Sequence, residues 1–224
     1  MAKPRTYGDG CAIAGGLDVI GERWALLVVR ELLLGPKRYT DLQRGLPNAS
    51  PNVLSERLRE LERDGVIRRR KLPPPAGSRV YELTAWGREL EAIVVSLGHW
   101  AARSTAPPSD APVGVDSVII ALRSRFDSGA ADGLHARYEL RLSEDRFQIV
   151  VADGEVEVTR GDVDRADATI TTDPGTLAAV LWGDESLTDA RRSGAVIIEG
   201  NLGAARRFFR LFPLPGPVAG VTAG

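Results

Sequence analysis

The sequence predicts an α+β protein organised as two domains. Three observations lead there. Residues 1–105 hold 17 Lys+Arg against 12 Asp+Glu, whereas residues 106–224 hold 12 against 18. A basic half suits phosphate and an acidic half is repelled from it, so the halves predict different partners. Between them, residues 104–114 read STAPPSDAPVG, a Pro-, Ser- and Ala-rich stretch without apolar periodicity, as in a linker. Within each half, helical spacing of apolar residues gives way to strand-like alternation. The expected bounds are 1–103, a linker 104–114, a second domain 115–212 and an irregular tail 213–224.

Composition narrows the class. Hydrophobic residues make up 43% and charged residues 26% of 224, ordinary values for a globular chain. There is no apolar run of ~18 residues, so no membrane span or membrane partner is expected. Met1–Gly10 is polar and lacks the apolar core of a signal peptide. Cys11 is the single cysteine, which excludes an intramolecular disulfide and fits a reducing, cytoplasmic setting.

The elements of the first half follow in order. Glu22–Leu34 (ERWALLVVRELLL) is apolar around most of its circumference, so Trp24, Leu27, Val28, Leu32 and Leu33 suit a buried helix that Gly35-Pro36 ends. Tyr39–Leu46 reads as a short helix with Thr40 as N-cap, and Pro47-Asn48-Ala49 as a turn. Ser50–Asp64 is a capped helix: Ser50 at the N-cap, Pro51 at the first position, Gly65 as the stop. Leu54, Leu58 and Leu61 define its buried face. Asn52, Glu56, Arg59 and Arg63 lie opposite, with Ser55 on the flank. Val66–Leu72 and Arg79–Leu83 read as strands around the tip Pro73–Ser78. Thr84 then caps a helix to about Arg103 with Leu90, Val94, Leu97 and Trp100 or Ala101 on one stripe. Ala14-Gly15-Gly16 suggests close helix packing rather than a phosphate loop.

Helix, short helix, capped helix, hairpin and helix make a helix-turn-helix with a basic wing. Such a second helix enters the major groove of duplex DNA, and the wing lies along phosphate or minor groove. The DNA-contact candidates are Lys37, Arg38, Thr40, Ser50, Asn52, Ser55, Arg59 and Arg63, with Arg68, Arg69, Arg70, Lys71 and Arg79 on the wing. Arg to guanine and Asn to adenine are the natural pairings. Glu56 suits cytosine, or equally a pair with Arg59.

These stretches, CAIAGGLDVIGERWALLVVRELLLGPKRYTDLQRGL, SPNVLSERLRELERDGVI and YELTAWGRELEAIVVSLGHWA, resemble the HxlR family of bacterial winged-helix regulators, relatives of the MarR family. The resemblance implies a homodimer joined by helices at both ends of the domain. It also implies a pseudo-palindromic operator, a nucleoid-associated place in the bacterial cytoplasm, and repression as the default. In that family a cysteine near the N-terminus sometimes senses oxidants or electrophiles, and Cys11 stands at the matching place. The alternative for Cys11 is a small buried residue at the dimer contact, because a sole cysteine has no resolving partner in its own chain. His99 and His135 lack metal-ligand spacing and read as structural or solvated. There is no nucleophile motif, P-loop or dinucleotide fingerprint, so neither an enzyme nor a cofactor is expected.

In the second half, Val115–Phe126 reads as an amphipathic helix. Strands follow at Leu134–Leu142, Arg146–Ala152, Glu155–Arg160 and Ala168–Thr172, with Asp153-Gly154 as a hairpin turn. Asp173-Pro174 opens a helix through about Trp182, Ser186–Ser193 is another short helix, Ala195–Glu199 a strand, and Asn201–Leu211 a last helix. This is an α+β layout with a mainly antiparallel sheet. ADATITTDPGTLAAVLWGDESLTDA and SGAVIIEGNLGAARRFFRLF resemble the sterol-carrier-protein type of domain. That implies an apolar site for a fatty acid, sterol or other small molecule, with Leu177, Trp182, Phe208, Phe209 and Phe212 as candidates; a closed core is the alternative. The whole reads as a repressor whose second domain binds an apolar effector. Two alternatives stay open: a thiol sensor with a structural second domain, and a lipid carrier whose first domain only dimerises.

Overall fold

A computed structural model describes residues 6–74, 77–103 and 112–216. The chain divides into two compact units, Met1–Val94 and Val95–Gly224. The division falls ahead of the expected linker, of which 104–111 lie outside the described residues, as do 75–76 of the wing tip and 217–224 of the tail.

The first unit runs α1 (Ala12–Ile20), α2 (Ala25–Leu32), α3 (Tyr39–Gly45), α4 (Pro51–Arg63), β1 (Ile67–Lys71), β2 (Arg79–Leu83) and α5 (Ala85–Ala101), the last crossing the division. Its core is aliphatic: Val28 and Val29 of α2, Leu42 of α3, and Leu54, Leu58 and Leu61 of α4 are all at or near zero exposure. Full burial of each such side chain stabilises by roughly 1.5–3 kcal/mol. The leucine spacing of α4 thus does what its periodicity predicts.

Several expectations need correction. The helix expected from Glu22 starts at Ala25, because Trp24 sits in the left-handed region at φ +78° and breaks the helical run. Leu27 is exposed rather than buried. The N-cap of α3 is Arg38, whose N–H donates to the Asp41 carboxylate at 3.3 Å, so Thr40 lies exposed inside the first turn. The expected stripe of α5 also splits. Leu90 and Val94 pack on the core, while Leu97 and Trp100 face solvent at 45% and 66% exposure. Ala14 is buried, but Gly15 and Gly16 meet nothing within 4 Å of an added Cβ, so among the described residues no neighbour packs closely on that glycine pair.

β1 and β2 pair antiparallel with Ile67 opposite Leu83 and Lys71 opposite Arg79. Lys37 adds a bridge to Tyr81 on the other edge of β2, its N–H donating to the Tyr81 carbonyl at 3.0 Å. Thr84 caps α5, its Oγ1 accepting from Gly87 N–H at 3.0 Å. Gly87 is needed there: an added Cβ would lie 2.0 Å from the Val66 carbonyl oxygen.

The second unit contains α6 (Val115–Arg125), β3 (Ala136–Leu142), β4 (Asp145–Ala152), β5 (Glu155–Arg160), β6 (Ala168–Thr172), α7 (Pro174–Trp182), α8 (Leu187–Ser193), β7 (Ile197–Gly200) and α9 (Leu202–Phe208). The sheet order is β5-β4-β3-β6-β7; β3 and β6 run parallel and the other neighbours antiparallel. Asp153 and Gly154 turn the β4–β5 hairpin at φ +53° and +74°, the conformation an Asp-Gly pair favours. Alternation gives the sheet a buried face, with Tyr138, Leu140, Phe147, Ile149 and Ile170 at zero exposure. α9 packs against β3, β6 and β7, and α6 against β5 and α7.

Candidate nucleic-acid interface and apolar site

α4 presents Asn52, Glu56 and Arg59 to solvent while its leucines are locked in the core. The Ser50 hydroxyl accepts from Val53 N–H at 3.4 Å, so the helix start is satisfied by its own cap. Sequence reasoning missed the residue that joins the two helices of the motif. Tyr39 Oη donates to the Pro51 carbonyl at 3.0 Å and accepts from Ser55 Oγ at 3.3 Å. Ser55 therefore serves the joint between α3 and α4. Arg63 is clamped by its neighbour, Nε and Nη2 donating to the two Asp64 oxygens at 2.8 and 2.9 Å; that hydrogen bond raises its pKa further. Arg57, 8% exposed, points inward to pair with Glu60 and, at 3.6 Å, with Glu22.

The basic block of the wing is mostly spoken for within the fold. Arg68 Nε and Arg70 Nε reach the two oxygens of Glu82 at 2.8 and 2.9 Å, and Glu82 is 5% exposed. Burial alone would raise its carboxyl, but the hydrogen bonds and charges of Arg68 and Arg70 outweigh that and hold it below the ordinary range. Arg69 turns to the other face, 2.8 Å from Glu62 of α4 and over the Tyr81 ring. Lys71 and Arg79, opposite one another beside the tip, are exposed and have no ion-pair partner among the described residues. The hairpin alternation that separates 68 and 70 from 69 was legible; the register that puts Glu82 beneath them was not, because the length of the tip loop hid it.

Lys37 is likewise held inside. Its Nζ lies 2.6 Å from Glu31, a carboxylate 2% exposed that also takes Arg30 at 2.8 Å. This trio links α2 to the approach to α3. Gly45 gives it room, since an added Cβ would fall 2.2 Å from the Glu31 carboxylate. Arg38 and Thr40, beside that trio in sequence, remain exposed.

Cys11 is exposed at the start of α1, its N–H donating to Asp9 at 2.9 Å. On the same helix Ile13 and Leu17 are exposed, and on α5 so are Trp86, Ile93, Leu97 and Trp100. Spacings of seven, eleven and fourteen residues from Trp86 place those four on one helical face. Among the described residues no group of three His, Cys, Asp or Glu is placed to hold a metal ion, and no helix is long and apolar enough to cross a membrane.

In the second unit, Leu177, Phe208 and Phe212 are fully buried, while Trp182 and Phe209 are half-buried. Phe208 meets the rings of Tyr138, Phe209 and Phe212 at 5.1–5.4 Å between centroids, and Trp182 Nε1 donates to the Phe212 carbonyl at 2.9 Å. The three buried candidates thus pack as core, leaving Trp182 and Phe209 toward solvent. α7 is a further feature the motifs did not flag. Its sequence, PGTLAAVLW, is uncharged throughout, yet among its residues only Leu177 is buried.

Comparison with known proteins agrees with both units. Residues 19–108 match the HxlR-like helix-turn-helix family and residues 120–213 the SCP-2 sterol transfer family. The uncharacterized HTH-type transcriptional regulator YvaP of Bacillus subtilis (strain 168) is 40% identical over 85 residues, 38% of this chain and 79% of YvaP. The reduced form of the B. subtilis transcriptional regulator YodB is 31% identical with a TM-score of 0.39, covering 42% of this chain and 94% of that one. A double mutant of the sec-alkyl sulfatase PisA1 is 20% identical with a TM-score of 0.43, over 47% of this chain and only 17% of that enzyme. The chain belongs to the HxlR-like helix-turn-helix family of transcriptional regulators, with an SCP2 domain in its second half.

Proposed function

We propose that this regulator is a homodimeric repressor that reads a pseudo-palindromic operator with α4 and releases it when its second unit binds an apolar effector. α4 carries the proposal: a helix seated by three buried leucines presents Asn52 and Arg59 two turns apart on its outer face. Those are the side-chain types that pair bidentately with adenine and guanine. Lys71 and Arg79 are the wing's phosphate contacts, because their charge is not consumed inside the fold. The exposed apolar faces of α1 and α5 support pairing with a second copy. The half-covered apolar helix α7 and the SCP-2 match support an apolar effector. Release needs only that the effector prefer the DNA-incompetent dimer, and a coupling of roughly 1–3 kcal/mol suffices.

The test is fluorescence anisotropy with DNA from the protein's own promoter region, wild type beside Asn52→Ala/Arg59→Ala, at two salt concentrations. Tight, salt-dependent binding that the double variant loses is the expected result. Equal weak binding of both proteins to promoter and random DNA overturns the assignment of α4.

A second route to release is supported by the exposed Cys11 thiol at the start of α1, beside the apolar face assigned to the dimer. Under that reading an oxidant abolishes operator binding in wild type and leaves Cys11→Ser bound; an unchanged response in the variant removes it.

A further inference from the structure

The second half of the chain is acidic, and every one of its cations is an arginine. Outside α9 most of them are committed within the fold. Arg141 pairs with Glu139 and Glu199, Arg146 with Asp162, Arg160 with Asp116 and Asp145, and Arg192 with Asp189. Arg123 donates to the Val158 carbonyl, and Arg125 lies over the Trp182 ring. Arg137, Arg165 and Arg191 are exposed, but each has an aspartate beside it. Arg137 N–H donates to the Asp167 carboxylate at 2.8 Å, Arg165 follows Asp164, and Arg191 stands two residues after Asp189.

α9 differs. Its helical turn runs on to Arg210, whose N–H donates to the Arg207 carbonyl at 2.9 Å. Ala204, Ala205 and Phe208 are buried where α9 packs on the sheet, while Arg206, Arg207 and Arg210 are exposed. No Asp or Glu occurs from residue 200 to residue 224. Arg206 and Arg210, one turn apart, form no ion pair with any described residue. Arg207 lies close enough to the buried Tyr138 hydroxyl to oppose the rise that burial gives its pKa. One cation offsets the half-charge at a helix C-terminus, so three exceed what the helix itself calls for.

Unpaired guanidinium groups on an otherwise acidic body are complementary to an anionic partner. The buried apolar side chains of α9 are used against the sheet, so its exposed side offers charge rather than the apolar face that a bilayer surface requires. Arginine forks match phosphate oxygens, and the chain belongs to a family of DNA-binding regulators.

We propose that α9 is a second DNA contact, with Arg206 and Arg210 neutralising backbone phosphates of the duplex that flanks the operator. The proposal rests on the operator reading above and adds a contact made by the second unit, one that carries affinity but no sequence information. It also orients that unit, since an acidic body approaches a duplex by its cationic face.

The experiment is fluorescence anisotropy of the full-length protein at several salt concentrations on two duplexes. One is the operator alone, about 20 bp for two half-sites, and the other extends it by about two helical turns, 20 bp, on each side. Wild type is compared with Arg206→Ala/Arg210→Ala and with Arg206→Lys/Arg210→Lys. Wild type is expected to bind the extended duplex more tightly. The alanine variant should lose that gain, and its slope of log K against log salt there should flatten by about 3.6, two contacts from each subunit of the dimer. On the operator alone it should match wild type, which also shows that it is folded. The lysine variant should keep most of the gain, because an ammonium still neutralises a phosphate. Equal binding of the two duplexes by wild type overturns the flank contact and leaves the operator reading intact, as does an undiminished gain in the alanine variant. A loss of equal size on both duplexes places the arginines at the operator and overturns the flank assignment. Capture of wild type but not the alanine variant by phosphatidylglycerol vesicles, with no gain from flanking DNA, assigns α9 to a membrane surface instead. Binding of neither duplex overturns the operator reading and this contact with it.

Discussion

Arg68 Nε sits 2.8 Å from Glu82 Oε1, across the wing hairpin from one strand to the other. With Arg70 on the second oxygen, one buried carboxylate ties down two of the three consecutive arginines. The folded pKa of Glu82 is lowered, so its contribution to stability is present above the unfolded value and is lost as pH falls through the folded one. Glu82→Gln should therefore cost about 1–3 kcal/mol at pH 7, and less below about pH 4, where wild type is losing the same pairs. Urea melts of both proteins at about pH 7 and about pH 3.5, on either side of the ordinary carboxylate range, check this. A difference that does not shrink on acidification would show that Glu82 does not titrate as its partners require.

The same pairing bears on what was legible in the sequence. Element order, the Ser50 cap, the leucine face of α4 and the Asp-Gly turn all follow from local chemistry and were readable as written. Whether a surface arginine is free is set by which strand residue lies opposite, and that depends on non-local register. Hence alternation could divide the block 68–71 between two faces but not show which side chains are paired, and Lys37 and Arg63 stood as DNA-contact candidates although Glu31 and Asp64 hold them. Tyr39 had no signal beyond its place at the start of α3. In the second unit the strands were legible, but the parallel pairing of β3 with β6 was not, since alternation is the same in either direction.

If the free charge of the wing lies at its tip, salt dependence will locate it. Every phosphate that a variant no longer neutralises reduces the slope of log K against log salt by about 0.9. Lys71→Ala/Arg79→Ala removes two contacts from each subunit of the proposed dimer and should flatten the slope by about 3.6 across all DNA sequences. Arg68→Ala should change it little and lower thermal stability instead. Anisotropy titrations at several salt concentrations distinguish the two, and a larger flattening in Arg68→Ala would reverse the assignment.

Two helix glycines should defy helix propensity. Replacing Gly by Ala inside a helix ordinarily stabilises by up to about 1 kcal/mol. At Gly87 the new Cβ would press on the Val66 backbone oxygen, which cannot move without shifting the strand. At Gly45 it would displace the Glu31 carboxylate from Arg30 and Lys37. Both variants should be destabilised, Gly87→Ala by about 1–3 kcal/mol or more and Gly45→Ala by less, because a side chain yields more easily than backbone. Chemical denaturation gives the order, and a stabilised Gly87→Ala would mean that α5 can draw back from Val66 at no cost.

The face of α5 bearing Trp86, Ile93, Leu97 and Trp100 makes the last test. Four large apolar side chains exposed along one helix are the surface proposed above for pairing with a second copy. A charge placed between two such faces must be desolvated on pairing, whereas on a monomer it stays in water. Ile93→Asp/Leu97→Asp should therefore leave the folded unit intact by circular dichroism yet halve the mass seen by sedimentation equilibrium. Because two half-sites are engaged together only by a dimer, operator affinity should fall by orders of magnitude while binding to random DNA changes little. A variant that stays dimeric with full operator affinity would exclude this face of α5 and leave α1, with Ile13 and Leu17 exposed, as the surface to vary next.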